Sequence, residues 1–85
     1  MKFLRTTFLR FMNINKALGI VIDKRLKDLR INRNDFCEKN DIARSFLYKI
    51  IEGKSSPTLD FLLKLSKALN MTIGSLVTKA QKLNL

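Results

Sequence analysis

Leu18, Ile22, Leu26 and Leu29 recur at i, i+4, i+8 and i+11, which aligns them as one apolar stripe of a helix. Similar helical spacing returns in short bursts down the chain, most of them closed by Asn, Asp, Gly or Pro. No segment alternates as a half-buried strand would, and no internal repeat is visible. The pattern confines the 85 residues to an all-α fold of five short helices around one modest core. A hydrophobic content of 46% is enough to bury such a core.

Punctuation places the helices. Asn13 or Asn15 can cap the first, which carries the Leu18 stripe and ends near Arg30. Asn32 caps a short second helix holding Phe36 and Cys37, with Asp35 in a capping-box-like position. Asn40 and Asp41 tolerate left-handed backbone and suit a tight turn. Ile42, Phe46, Leu47, Ile50 and Ile51 give the inward face of a third helix, which Gly53 caps. Pro57 or Thr58 opens a fourth helix, with Leu59, Leu62, Leu63, Leu65, Ala68 and Leu69 apolar and Asn70 at its end. Thr72 caps a short fifth helix with Ile73, Leu76 and Val77. The expected division is a basic amphipathic extension over 1–14, a domain over 15–77 and a tail over 78–85.

In the extension, Leu4, Phe8, Phe11 and Met12 fall at helical spacing among Lys2, Arg5 and Arg10. Its apolar run is too short for a secretory signal. It reads as a mobile or dimer-packing segment, or as residues ahead of a natural start at Met12.

Seventeen Lys and Arg oppose seven Asp and Glu, a formal charge of +10. That balance favours polyanionic partners, nucleic acid first and an anionic membrane surface second. The single cysteine, Cys37, permits no disulfide within the chain and reads as a small core residue. There is no His and no second Cys, which argues against a structural zinc site. His-based acid–base or nucleophilic catalysis is excluded. Neither an enzyme, a metal nor a cofactor is expected. No apolar run approaches the ~18 residues of a spanning helix.

Short helix, tight turn and second helix, from Arg33 to Ile51, make a helix-turn-helix pattern. Two helices packed at a large angle let the second enter a DNA major groove while the first crosses the backbone. The outward face of that second helix carries Arg44, Ser45, Tyr48 and Lys49, all hydrogen-bond donors.

Residues Leu18 to Val77 resemble the Cro/repressor-type (XRE-like) helix-turn-helix family of bacterial and phage regulators. The likeness rests on an ordered set: "LG" at Leu18-Gly19, Phe36-Cys37, "IIEGKSSPT", "LLKLSKALNM" and "TIGSLV". It implies a compact five-helix, lambda-repressor-like domain that binds double-stranded DNA. Arg44, Ser45, Tyr48 and Lys49 would meet base edges, and Arg33, Lys54, Ser55 and Ser56 would meet phosphates. Phe46 reads as core or rim packing, with a thymine-methyl contact as the alternative. The family's dimer surface corresponds to Met71, Ile73, Leu76 and Val77, with Leu83 and Leu85 as candidates; core packing of the closing helix is the other use for these side chains.

The departures carry information. Arg33 stands where the family often has Gln, so it can bind phosphate but must brace the recognition helix differently. Asp41 replaces the turn Gly at a cost of ~1 kcal/mol. Leu26 and Ile51 stand where many members pair an Arg with a Glu. Loss of both charges together is tolerable where loss of one is not, so these two side chains are expected to meet in the core.

The leading expectation is a cytoplasmic, sequence-specific transcriptional regulator of bacterial or phage type, acting as a homodimer on a palindromic operator. Phage Cro-like repressors, restriction–modification controllers and antitoxins with a toxin partner all fit it. A protein-interaction adaptor with its basic N-terminus on an anionic surface is the competing reading.

Overall fold

The computed structural model describes the backbone of residues 2–84 and the side chains of residues 14–83. Five helices follow one another: α1 (Lys2–Asp28), α2 (Arg33–Lys39), α3 (Arg44–Ile51), α4 (Leu59–Ala68) and α5 (Ile73–Asn84). No strand occurs among the described residues. α1 is the organising element, packing on both α5 and α3, while α4 packs on α5 and α2 on α3. The core is made largely from the predicted stripes, although Leu29 lies beyond the end of α1 and is only half-buried. Leu18, Ile22 and Leu26 of α1 meet Phe36, Cys37, Leu47, Ile50, Leu65, Leu69, Leu76 and Ala80, all buried.

Two boundaries differ from expectation. α1 does not begin at an Asn13 or Asn15 cap but runs through both from Lys2. Neither Gly nor Pro interrupts Lys2–Asn15, and an Asn inside a helix costs only a few tenths of a kcal/mol against typical residues. The amphipathic side chains expected at Leu4, Phe8, Phe11 and Met12 lie outside the described residues, as does Leu85. At the other end, the supposed tail from residue 78 is helical to Asn84. Ala80 extends the Leu76 stripe by one turn and is buried, so the last turns of α5 are held by the core. Smaller shifts occur inside the domain: α1 stops at Asp28, and Ile42 is buried in the turn before α3.

The helix ends share one chemistry. Asn32, Thr58 and Thr72 each accept a hydrogen bond from the backbone of the following first turn, at 2.7, 3.2 and 3.0 Å. Asn32 reaches Asn34 rather than Asp35, so the capping box is not closed in its usual form. Four turns pass through left-handed backbone, at Arg30 (φ 57°), Asp41 (54°), Gly53 (76°) and Asn70 (58°). After each, the next N–H returns to a carbonyl five residues back: Ile31 to Leu26, Ile42 to Cys37, Lys54 to Lys49 and Met71 to Ser66. These Schellman-type closures satisfy carbonyls that the helix leaves free. The Arg25 guanidinium adds a fifth tie, donating to the carbonyls of Leu69 (3.0 Å) and Asn70 (3.3 Å) at the negative end of α4.

Glycine settles how closely α1 and α3 approach. A Cβ on Gly19 would lie 2.2 Å from the Ile51 carbonyl oxygen and 2.7 Å from that of Ile50. One on Gly53 would lie 2.8 Å from the Lys16 Cα. The C-terminal end of α3 is therefore seated directly on the backbone of α1.

Candidate nucleic-acid interface

α2, its turn at Asp41 and α3 form the helix-turn-helix unit, and the core fixes which side of α3 faces out. Leu47 and Ile50 are fully buried and Ile42 nearly so, which leaves Arg44, Ser45 and Lys49 exposed together with Tyr48 at the edge. Among the described residues, no hydrogen bond or ion pair engages the side chains of Arg44, Ser45 or Lys49. Phe46 is on the rim, its ring edge-on to Phe61 at 4.7 Å.

The start of α3 is unlike those of α2, α4 and α5. Its N-cap is Ala43, with no side-chain cap; its first turn, like that of α5, has no acidic residue. Its first residue is Arg44. An uncapped N-terminus keeps free N–H groups and positive potential, and a cation there opposes the helix dipole. That arrangement weakens the helix locally and suits a phosphate backbone nearby.

Tyr48 and Arg33 are both turned inward to each other. The Arg33 guanidinium donates through Nε (3.2 Å) and Nη2 (2.8 Å) to Asp23 Oδ1 on α1. It also lies over the Tyr48 ring, 5.1 Å from its centroid. Tyr48 Oη donates to Asn34 Oδ1 at 3.3 Å. One face of the ring is thus occupied, and Tyr48 ties α3 to α2. The different bracing expected of Arg33 takes this form, through Asp23 and Tyr48, and leaves only its remaining edge for a phosphate. Asp23 also pairs with Lys27 at 3.2 Å. Sequence reasoning missed Asp23, Asn34 and Arg25. The available signal was Asp23 four residues before Lys27, an i,i+4 pair that marks a charged flank of α1.

Burial raises the Asp23 pKa, but hydrogen bonds from Arg33 and Lys27, with their charges, outweigh it and hold the carboxyl below its ordinary value. A carboxylate depressed on folding stabilises above its unfolded pKa, and that contribution is lost as pH falls through the folded value. Wild type is expected to exceed Asp23→Asn by about 1 kcal/mol at pH 7, and the gap should close as the pH drops below about 4. Urea melts at neutral and acid pH measure it; an undiminished gap in acid would show that the ionised carboxylate is not what matters.

The loop expectations are mixed. Lys54 is exposed but pairs with Glu52 at 3.5 Å, a loose surface contact that a phosphate can replace. Ser56 is exposed and Ser55 half-buried. Cys37 is a core residue as expected, and burial pushes its thiol pKa up. At the expected dimer surface, one residue is corrected. Leu76 is 0% exposed and belongs to the core, because it points from α5 into the space between α1 and α4. Met71, Ile73 and Val77 are half-buried. Among the described residues, no helix is long and apolar enough to cross a membrane, and no cluster of His, Cys, Asp and Glu could hold a metal.

A short helix, a left-handed turn and a second helix with an exposed basic face define a helix-turn-helix DNA-binding domain. The chain belongs to the family of the Cro/C1-type HTH DNA-binding domain, whose model matches residues 21–79. No curated protein matches it significantly. The fold is similar to a crystal structure of the clp gene regulator ClgR from Corynebacterium glutamicum, with TM-score 0.77 and 15% identity over 84% of this chain and 76% of that one. A second ClgR crystal structure from C. glutamicum gives 0.74 and 16%, over 79% and 86%. At these identities the likeness is one of fold.

Proposed function

We propose that the chain is a sequence-specific transcriptional regulator that inserts α3 into the major groove and binds as a homodimer to a two-fold symmetric operator, probed by Arg44, Ser45 and Lys49. The observation that carries this reading is the outward face of α3, where three donor side chains stand exposed without a side-chain partner among the described residues. Arg44 is suited to a bidentate bond with guanine O6 and N7, Ser45 to a less selective bond, and Lys49 to a base or phosphate one turn on. Lys54, Ser55, Ser56 and the free edge of Arg33 flank this face as backbone contacts, which set register rather than sequence. Tyr48 acts in this scheme by holding α3 against α2. Ile73 and Val77, with Met71, offer the dimer contact, and repression follows from occupying a promoter. Such a protein works in the bacterial cytoplasm, encoded by the bacterium or by a phage.

Selection from a random duplex pool tests the reading. It should return a symmetric motif with half-sites about one helical turn apart, with log affinity falling linearly in log salt. Unenriched pools with salt-sensitive binding would leave charge alone at work. Arg44→Ala should lower affinity for the selected site by about 5- to 150-fold, the worth of one bidentate pair, and relax the preference at one position. Its thermal stability should hold or rise slightly, since Ala removes a cation from a helix N-terminus. Unchanged affinity and preference would move the recognition face off this side of α3.

A further inference from the structure

α1 and α5 leave a groove between them on the side away from the recognition helix. Its floor is Ile20, Val21, Met71 and Leu83, and its rim is Lys24, Lys79 and Lys82 with Asp28. Ile20 and Leu83 are 52% and 56% exposed. Arg25 also lines the groove, but its guanidinium is committed to the end of α4. At about 100° per residue, Ile20, Lys24 and Asp28 lie on the flank of α1 turned away from Gly19, which faces α3. On α5, Lys79 and Leu83 flank the buried Leu76–Ala80 stripe on the side opposite Ile73 and Val77. The groove is thus separate from both the DNA-facing surface and the main part of the proposed dimer surface.

We infer that this groove is a docking site for an acidic amphipathic helix of a partner protein. Two large aliphatic side chains, Ile20 and Leu83, in a trough between α1 and α5 fit apolar anchors at i, i+3, i+4 and i+7. The walls span Ile20 to Asp28, about 12 Å, or two to three turns of an incoming helix. Three lysines against one aspartate select acidic flanks on that helix. A second copy of this chain is a poor occupant: none of its five helices carries more acidic than basic residues. DNA phosphates match the lysines but not an aliphatic floor, and a lipid surface matches the charges but not a concave trough. The inference does not depend on DNA binding by α3.

The test is titration of the full, isotope-labelled chain with a synthetic helical peptide of about 16 residues, Leu at the anchor positions and Glu and Ala elsewhere. Chemical shifts should move at Ile20, Lys24, Met71, Lys82 and Leu83 and stay still on α3. A scrambled peptide of the same composition should bind at least about tenfold more weakly, as should the Lys24→Glu/Lys82→Glu variant and Leu83→Asp. All three positions are exposed, and a thermal melt of each variant checks that the fold persists. Shifts centred on α3, or equal binding of the scrambled peptide, would reduce the effect to charge attraction and overturn the proposal. So would a groove perturbed by duplex DNA or phosphatidylserine vesicles but not by the peptide. Self-association in sedimentation that Leu83→Asp abolishes would give the groove to a second copy instead.

Discussion

Gly19→Ala is expected to destabilise the protein by ~3 kcal/mol, although Ala is the better helix former by ~1 kcal/mol. The two effects oppose each other, and geometry decides the winner. The added Cβ would sit 2.2 and 2.7 Å from two backbone carbonyl oxygens at the end of α3. Those oxygens belong to a fully formed helix end, so relief requires α1 and α3 to separate. Separation opens the contact that seats the recognition helix. For a domain of this size, ~3 kcal/mol corresponds to a fall in Tm of about 12–24 °C. Gly74→Ala is the internal control: the nearest atom to its Cβ is Thr72 Oγ1 at 4.0 Å, and Gly74 is exposed near the start of α5. That substitution should be neutral or mildly stabilising. Thermal melts of the two variants side by side decide the matter. Equal stability of both would mean that α1 and α3 are not in backbone contact.

The second large effect is electrostatic. Leu26 is 1% exposed, and Ile51 packs half-buried against the same core. Leu26→Arg places an unpaired guanidinium there, at a cost of ~4 kcal/mol. Adding Ile51→Glu should restore part of that loss, because the pair satisfies itself where a single charge cannot. The measured quantity is the coupling energy of the double-mutant cycle. Zero coupling would show that the two side chains do not meet, and that the joint loss of charge at these positions has another origin. Either result bears on function, since Leu26 belongs to the core that α3 rests on and Ile51 packs against it.

These two cases mark how legibility varies along the chain. The apolar stripe of α1, the Asn32, Thr58 and Thr72 caps and the left-handed turn at Asp41 could all be read locally. Each depends on one residue's own backbone preference or on helical periodicity, and both act at short range. The outward face of α3 could be read for the same reason. Once Leu47 and Ile50 point inward, the 3.6-residue period sends Ser45, Tyr48 and Lys49 out and puts Arg44 on the flank, at the exposed start of the helix. The ends of α1 and α5 were misread because Asn and the absence of an apolar run are weak stop signals. No breaker stands at either place, and a helix continues until something ends it.

Tertiary structure alone decided the pairings. Arg33 had two uses open to it, phosphate or brace, and only the approach of Asp23 from α1 and Tyr48 from α3 commits most of its donors. Leu76 had two uses as well, and the fit of α5 against α1 and α4 put it in the core. Arg25 gave no local sign that it would close α4, since its acceptors lie more than forty residues away. Periodicity and capping are local properties, so they mark the core of each helix, its apolar face and the basic surface of α3, but not where α1 begins or α5 ends. Which polar side chain finds which partner, and how closely two backbones approach at Gly19, depend on contacts between distant segments, and those exist only once the chain has folded.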